Sequence, residues 1–534
     1  MKNKSSTFTH KKFHFGNFPR QCFSVSLLLF FSSLCFSNAN AEDIYNSTSN
    51  ADFSLNDGSS WRVGSFDGEA YEGEVSASTN NLNISVDATS SGIGQFSEYI
   101  VGNNLNFNIA SIPQGAWGHT FYFNQGAYFR GDVNFSSVPG YVIQMRFGNK
   151  TFKVDGNISL NSPLIIHAAQ GAWEVGGNFD INNTRLYLSG NSTSGFTVWG
   201  TLNLSTVNSS LDFAKQDGGG SGSKSRMIGG INGIGRLQVG LPSVDTTVIL
   251  TNNGTAEFSG KYATQNGVGG ALHLNMNANS DTGKQIMRFQ EFADYSDEKT
   301  FKMANLGNVT VEWGELNIGM HSAMSAGTLT VVGEKALYSS TGLDSGSEIG
   351  TTRFSSIDFQ SGTIRFDLSE MQGDRIDVAG GVNVLDPTRG TFLVNVDPYD
   401  LAMWLEASEV SYLDYTVMSF DENSSNITID VLNQMLVAED GVDVKVIEGD
   451  LANGLLTLRV SVPEPSAIAA IIALASLGLA MRRRKNLAVC EKSAEKYFSA
   501  FFLRRFSEAI GLLCGKKNCG AFMRRKKYFS LRIY

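Results

Sequence analysis

The acidic side chains are the first candidates for chemistry. Asp132, Asp155 and Asp180 recur beside similar glycine motifs. Two facing carboxylates ~5–9 Å apart are the equipment of glycoside hydrolysis. These three do not line up. Asp132 follows Gly131 by one residue, Asp155 precedes Gly156 by one, and Asp180 follows Gly177 by three. Such scatter reads as solvent-facing polar positions. A polysaccharide lyase needs a base and commonly a Ca²⁺ held by clustered acids. Asp374 and Asp377 are close together but isolated in pattern, and Gly380 to Asp386 is not a calcium-binding repeat. His119, His167, His273 and His321 lack the spacing of a metal pair and read as surface or packed residues. Cys514 and Cys519 offer two thiols with no histidine nearby, whereas zinc takes about four ligands. Asp217 to Ser225 is glycine-rich, but Ser223 stands where a phosphate loop requires glycine before Lys224. The expectation is a chain with no catalytic residue, no metal and no cofactor. A secreted β-helix lyase or hydrolase is the alternative.

A different chemistry is written near the C-terminus. Pro463-Glu464-Pro465 precedes the uncharged run Ser466 to Met481, and Arg482, Arg483, Arg484 and Lys485 follow. The prolines keep the segment extended and unpaired, a form that a processing enzyme can grip. Sixteen residues of helix span roughly 24 Å. That is slightly short of a ~30 Å hydrocarbon core, and the basic side chains can snorkel to extend it. Basic residues stay on the cytoplasmic side, so the four also act as a stop-transfer signal and set orientation. At the other end, Lys2, Lys4, Lys11, Lys12 and Arg20 precede the apolar stretch Cys22 to Phe36. Ala39 and Ala41 then form an A-x-A site before Glu42 and Asp43. This is the layout of a secretory signal peptide, with cleavage expected after Ala41.

Residues 461–485 resemble the PEP-CTERM sorting domain of Gram-negative bacteria, with Val462-Pro463-Glu464-Pro465 as the signature. The resemblance implies recognition by an exosortase, transient anchoring in the inner membrane, and delivery to the cell surface or extracellular matrix. It also implies a link to exopolysaccharide and biofilm. The family normally ends soon after the basic cluster, yet residues 486–534 follow here. This tail carries eleven Lys and Arg against three Glu and reads as a cytoplasmic segment of doubtful role. A permanently membrane-tethered surface protein is a second alternative.

What would be exported differs in charge from the whole chain. Residues 42–480 hold twenty-two Lys and Arg against forty-eight Asp and Glu, a net charge of −26. Such a surface repels phosphate and argues against a nucleic-acid partner. All five cysteines lie outside this span, so the body must hold together without disulfides. Continuous apolar burial and backbone hydrogen bonds must do that work.

Four segments show how. Phe129 to Phe135, Val154 to Leu160, Val175 to Ile181 and Val198 to Leu204 each read apolar-x-Gly-x-apolar-x-apolar. Their glycines, Gly131, Gly156, Gly177 and Gly200, are spaced by 25, 21 and 23 residues. Alternation after each glycine gives a strand with one buried face. One such unit cannot cover its own apolar face, so stacked neighbours supply the core. The expected fold is all-β, a right-handed parallel β-helix or solenoid. A β-sandwich with hairpins of similar spacing is the competing arrangement. Glycine at the recurrent place suits positive φ or a tight corner, and the Asn after it can bond along the stack.

Val311 to Ile318 and Gly327 to Gly333 continue the pattern less regularly, as do Ile357 to Phe366 and Asp374 to Val384. Residues 300–390 resemble the passenger repeats of autotransporter-type surface proteins, without the outer-membrane barrel that follows in those. Residues 281–305 suggest a helix or a long insertion. Leu401, Trp404 and Leu405, and later Val431, Leu432, Met435 and Leu436, have helical spacing. Gly454 to Val460 reads as a last strand. The expected divisions are a signal peptide at 1–41, a β region or cap at 42–120, and a solenoid with insertions at 121–395. A β/α flank at 396–460, the sorting signal with one transmembrane helix at 461–485, and the basic tail at 486–534 complete them.

Overall fold

The computed structural model describes residues 43–463 except 49–60, 74, 76–78, 88–92, 97, 112–117, 140, 148–149, 169–170, 190–194, 216–222, 243, 268–269 and 298. One coil shows the plan. Ala127–Phe129 lies in sheet C, Val133–Ser137 in sheet A and Val142–Phe147 in sheet B. The chain then climbs one strand spacing and repeats the circuit with Phe152–Val154, Ile158–Leu160 and Leu164–Ala168. Coils pair parallel and in register: Phe129, Val154, Val175 and Val198 stack in sheet C, and Val133, Ile158, Phe179 and Leu202 in sheet A. About eleven turns make a parallel solenoid, as the repeats predict. The in-register parallel pairing rules out the sandwich arrangement for this region.

Alternation within each short strand explains the core. Every first and third residue of Phe152–Val154, Ile158–Leu160 and Trp173–Val175 is buried, and the middle residue faces outward. Successive coils put aromatic rings on one another inside the tube. Phe96 stacks on Phe123 at 4.6 Å and Phe123 on Phe147 at 5.3 Å. Trp173 meets Phe152 edge-on at 5.1 Å and also touches Phe147, Phe179 and Phe196. Offset and edge-on contacts of this kind add to simple burial.

The recurrent glycines have a reason other than the expected positive φ. Gly131, Gly156, Gly177 and Gly200 are not among the positive-φ residues. They sit where two coils approach too closely for a side chain. A Cβ on Gly177 would lie 2.7 Å from the Gly156 carbonyl and 2.5 Å from Asn157 Oδ1. One on Gly200 would lie 2.5 Å from the Gly177 carbonyl. The residue after each glycine bonds along the stack, as expected. Asn104 Oδ1 accepts from the Asp132 amide at 2.6 Å, and Asp132 Oδ1 from the Asn157 amide at 2.8 Å. Asn157 then accepts from Asn178 at 2.8 Å, and Asn178 from Thr201 at 2.9 Å.

The second half is built differently. Sheet B ends where Ala263–Gln265 pairs antiparallel with Lys299–Met303, which forms a hairpin with Tyr295–Asp297. The segment 281–305 therefore holds the sheet A strand Lys284–Phe289 and this hairpin, and no helix among its described residues. Its methionines, Met287 and Met303, sit on these strands, and its charges are divided between the strands and the loops that join them. From Val309 onward each turn uses sheets C and A only. Val309–Met320 is one strand that bends at Gly314 (φ +88°) and serves both sheets. Ala326–Val331 and Ala336–Ser340, then Thr351–Phe359 and Gly362–Asp367, repeat the two-sheet plan. Loops and a helix replace sheet B on the return leg. That helix, α1 (Pro398–Ala407), buries Leu401 and Leu405 and is capped by Asp397. A second, α2 (Ile429–Met435), buries Leu432 and Met435. The helical spacing read in the sequence corresponds to these two.

The C-terminal end is closed by three antiparallel strands, Leu413–Ser419, Asp443–Val446 and Leu455–Ser461, with the last in the middle. Ile376 and Asp377 join this cap to sheet C by pairing with Met418 and Ser419.

Candidate functional site

The last strand of the cap leads directly into the Pro-Glu-Pro segment. Leu456, Leu458 and Val460 are fully buried and anchor it. Its outward side carries Arg459, which binds Asp414 through two bonds of 2.9 Å and lies over the Tyr412 ring at 3.8 Å. Ser461 is still paired, opposite Asp443. Val462 rests against the core, and Pro463 is exposed and outside any strand. Val462 is thus the last described residue against the core, and a proline after it cannot extend the ladder. Glu464, Pro465, the run 466–481, Arg482, Arg483, Arg484 and Lys485 lie outside the described residues, as do Ala39 and Ala41. Among the described residues no helix is long and apolar enough to cross a membrane.

The cap around this exit is acidic. Residues 397–450 contain thirteen Asp and Glu, with Lys445 as their one basic residue.

The acids singled out for hydrolysis are each committed to local bonds. Asp132 belongs to the corner ladder. Asp155 accepts a short bond from the Tyr128 hydroxyl and pairs with Lys153 at 3.3 Å, and these two partners hold its carboxyl below the usual range. Asp180 accepts from Asn203 at 2.5 Å, in a row on the outer face of sheet A. Asn106 bonds Asn83 at 2.7 Å, Asn134 bonds Asn106 at 2.9 Å, and Asn232 bonds Asn203 at 3.1 Å in the same row. His273 accepts from the Asn308 amide at 2.8 Å, and His321 faces Glu291 at 3.1 Å. The side chains of His119 and His167 are outside the described set. Among the described residues no three His, Cys, Asp or Glu cluster to hold a metal.

Sequence reasoning passed over one group. Asp374 is fully buried and Asp367 nearly so, at 0% and 5% exposure. Asp374 Oδ1 accepts from the Gly350 amide at 2.9 Å, and its Oδ2 from the Asp367 amide at 3.1 Å. The Ser339 hydroxyl stands between the two carboxyls, 3.0 Å from Asp374 Oδ2 and 3.1 Å from Asp367 Oδ2. Burial, reinforced by the Asp367 charge, pushes the Asp374 carboxyl up to about 8, and the amide bonds only partly oppose this. Asp367 has its own countercharge. Arg365 Nε reaches it at 3.1 Å, and the Asn395 amide also bonds it. Arg365 continues to Glu315 at 3.0 Å, and Lys284 meets Glu315 at 2.7 Å. Burial alone would raise the Glu315 carboxyl, but the two cations outweigh it and hold it low. The sequence shows Asp374 but not its burial, because Ser339 and Gly350 reach it from neighbouring parts of the coil.

Comparison with known proteins gives one match. A model of the PEP-CTERM protein-sorting motif matches residues 461–485. No curated protein and no solved structure matches the chain. The motif marks an exported protein that is sorted at a membrane and recognised by an exosortase.

Proposed function

We propose that this carrier of a PEP-CTERM sorting motif is a non-enzymatic structural or adhesive protein of the cell surface or extracellular matrix, released there after an exosortase processes its C-terminus. The observation that supports this most is the joint itself. A closed solenoid ends in a buried central strand whose last residue, Ser461, is also the first of the matched motif, and Pro463 of Pro-Glu-Pro is exposed two residues later. A folded body can then stay intact while the segment beyond it is gripped and cut.

In this reading Ser466–Met481 spans the inner membrane and Arg482–Lys485 stays on the cytoplasmic side, so the acidic cap faces outward. The non-enzymatic reading rests on the acids nearest to pairing, which are spent on ladders and ion pairs. Exopolysaccharide is the partner that suits the outer face of sheet A. Rows of amides and hydroxyls there offer hydrogen bonds to sugar hydroxyls along the solenoid axis.

Mass spectrometry of the surface form tests the processing step. The expected product begins at Glu42 and lacks Arg482 and everything after it. Glu464→Ala should leave the unprocessed precursor in the inner membrane. A surface form that still carries Arg482 would overturn the proposal in favour of a permanent tether. Co-fractionation with extracted matrix polysaccharide, lost when the sugar is enzymatically removed, tests the partner separately.

A further inference from the structure

The Asp367–Ser339–Asp374 group has one structural demand. Ser339 Oγ carries a single hydrogen and has three acceptors in reach, Asp367 Oδ2 at 3.1 Å, Asp374 Oδ2 at 3.0 Å and the Ser340 carbonyl at 3.2 Å. It can donate to one carboxylate only. The other contact is satisfied when that carboxyl carries a proton and donates to Ser339. Asp367 is the one that stays ionised, since Arg365 and Asn395 bond it. Asp374 has no cation on it and is the more deeply buried, so the proton belongs there. An unpaired buried charge is far costlier than a buried neutral acid.

We propose that Asp374 carries a proton that it shares through Ser339 with ionised Asp367, and that this proton clamps the 368–374 loop and the C-terminal cap mounted on it. The connection to the cap is direct. The loop is closed by the Leu368–Gly373 bridge and by the Ser369–Gln372 bond of 2.8 Å. Tyr415 of the cap donates to the Ser369 carbonyl at 2.8 Å. Strand Arg375–Val378, which starts one residue after Asp374, pairs with the cap at Ile376 and Asp377.

The surrounding groups do not supply a competing switch. Tyr338, on the strand that carries Ser339, donates to Thr352 at 3.0 Å, and burial holds its phenol neutral. Arg375 turns to Asp377 at 2.7 Å, and Arg353 also faces Asp377. Arg365 is engaged with both Asp367 and Glu315. Tyr415 is pushed up to about 12 by burial.

The sign follows from linkage. Opening the loop returns Asp374 to the ordinary carboxyl value near 4, whereas the closed form holds its proton up to about 8. The closed state binds the extra proton between these limits, so its advantage falls as pH rises from about 4 to about 8, and then levels. Acid tightens the clamp.

Hydrogen exchange on the exported, processed protein reads this out, after correction for the intrinsic pH dependence of exchange. Protection of the Gly350 and Asp367 amides should fall roughly tenfold per pH unit over that range and then flatten. Asp367→Asn removes the facing negative charge and should move the flattening to lower pH. Asp374→Asn should abolish the slope, and where that variant does not fold, the Asp367→Asn shift decides. Amide protection that is level from pH 4 to 8 in the unmodified protein, or an unmoved profile in Asp367→Asn, would overturn the proposal. Neither outcome bears on exosortase processing, which is read from the mature C-terminus.

Discussion

The two halves of the solenoid solve one stacking problem with different materials. Coils between Ala127 and Val239 have three sheets, very short strands, aromatic rings stacked inside and neutral or singly acidic ladders outside. From Val309 to Asn395 the coils have two sheets, longer strands and a chain of charges from Lys284 through Glu315 and Arg365 to Asp367. A short strand gains little alone, so the first half depends on every coil matching its neighbour. Longer strands in the second half tolerate irregular return legs, and its polar groups must then be neutralised one by one. The difference teaches that a connected run of ion pairs appears where repeat regularity is lost, although the regular half also buries charged side chains, Asp212 and Arg226.

The first way to break the comparison is to remove a ring from the regular half. Trp173 is almost fully buried and touches rings in the coils on both sides. Trp173→Ala should cost about 4 kcal/mol, because a cavity opens between coils that cannot collapse separately. Solenoid stability is close to a sum of nearest-neighbour terms. The damage should therefore appear as lost hydrogen-exchange protection in the coils around residues 152–198, with residues 336–395 unaffected. Equal loss at both ends would show that the halves unfold as one unit.

The next effect is smaller and tests the glycine column. Gly177→Ala adds one methyl group where the Gly156 carbonyl is 2.7 Å away. The backbone there is not in the left-handed region, so the cost is crowding between coils, about 2 kcal/mol. Thermal unfolding of the variant checks it. An unchanged midpoint would mean that the coil spacing yields easily and that glycine stands there for another reason.

These sites show what can be read from sequence and what cannot. The first half was legible because the coil plan is local. Gly156, Asn157 and the Ile158-x-Leu160 alternation sit within five residues and recur. The physical role of the glycines was read differently, since φ is a local property and coil-to-coil distance is not. Sheet B was not visible as a separate element. Its strands, such as Leu164–Ala168, follow the motif at varying distance and include consecutive buried residues, so alternation is blurred. In the second half Val311 to Ile318 was recognised as a repeat, and it lies in the strand Val309–Met320, whose bend at Gly314 splits it between two sheets. The sorting motif at 461–485 was legible, because it is a linear signal that owes nothing to the fold. Asp374 was not, since its proton depends on Ser339, thirty-five residues away.

The smallest effect sharpens the contrast between neutral and charged ladders. Asn157→Ala removes the acceptor for the Asn178 amide, and Lys284→Met removes one of two cations on Glu315. The first should cost about 1 kcal/mol, the usual net worth of one hydrogen bond. The second should cost less than about 1 kcal/mol, because Lys284 and Glu315 are both partly exposed and water screens their attraction. Magnitude alone would not separate them, but conditions do. Molar salt shortens the screening length to a few ångströms. It should erase the Lys284→Met difference and leave that of Asn157→Ala intact. Acid acts on the same network. Glu315 is held low in the folded state, so its contribution is present above the ordinary carboxyl value and is lost as pH falls through its depressed one. The neighbouring Asp374 clamp runs in the opposite direction and tightens as pH falls toward 4. Acidification from pH 8 to 4 should therefore strengthen protection around 350–374, and only further acidification, below the ordinary carboxyl value, should weaken it around 284–315. A uniform acid response along the whole axis would remove the distinction between the two halves.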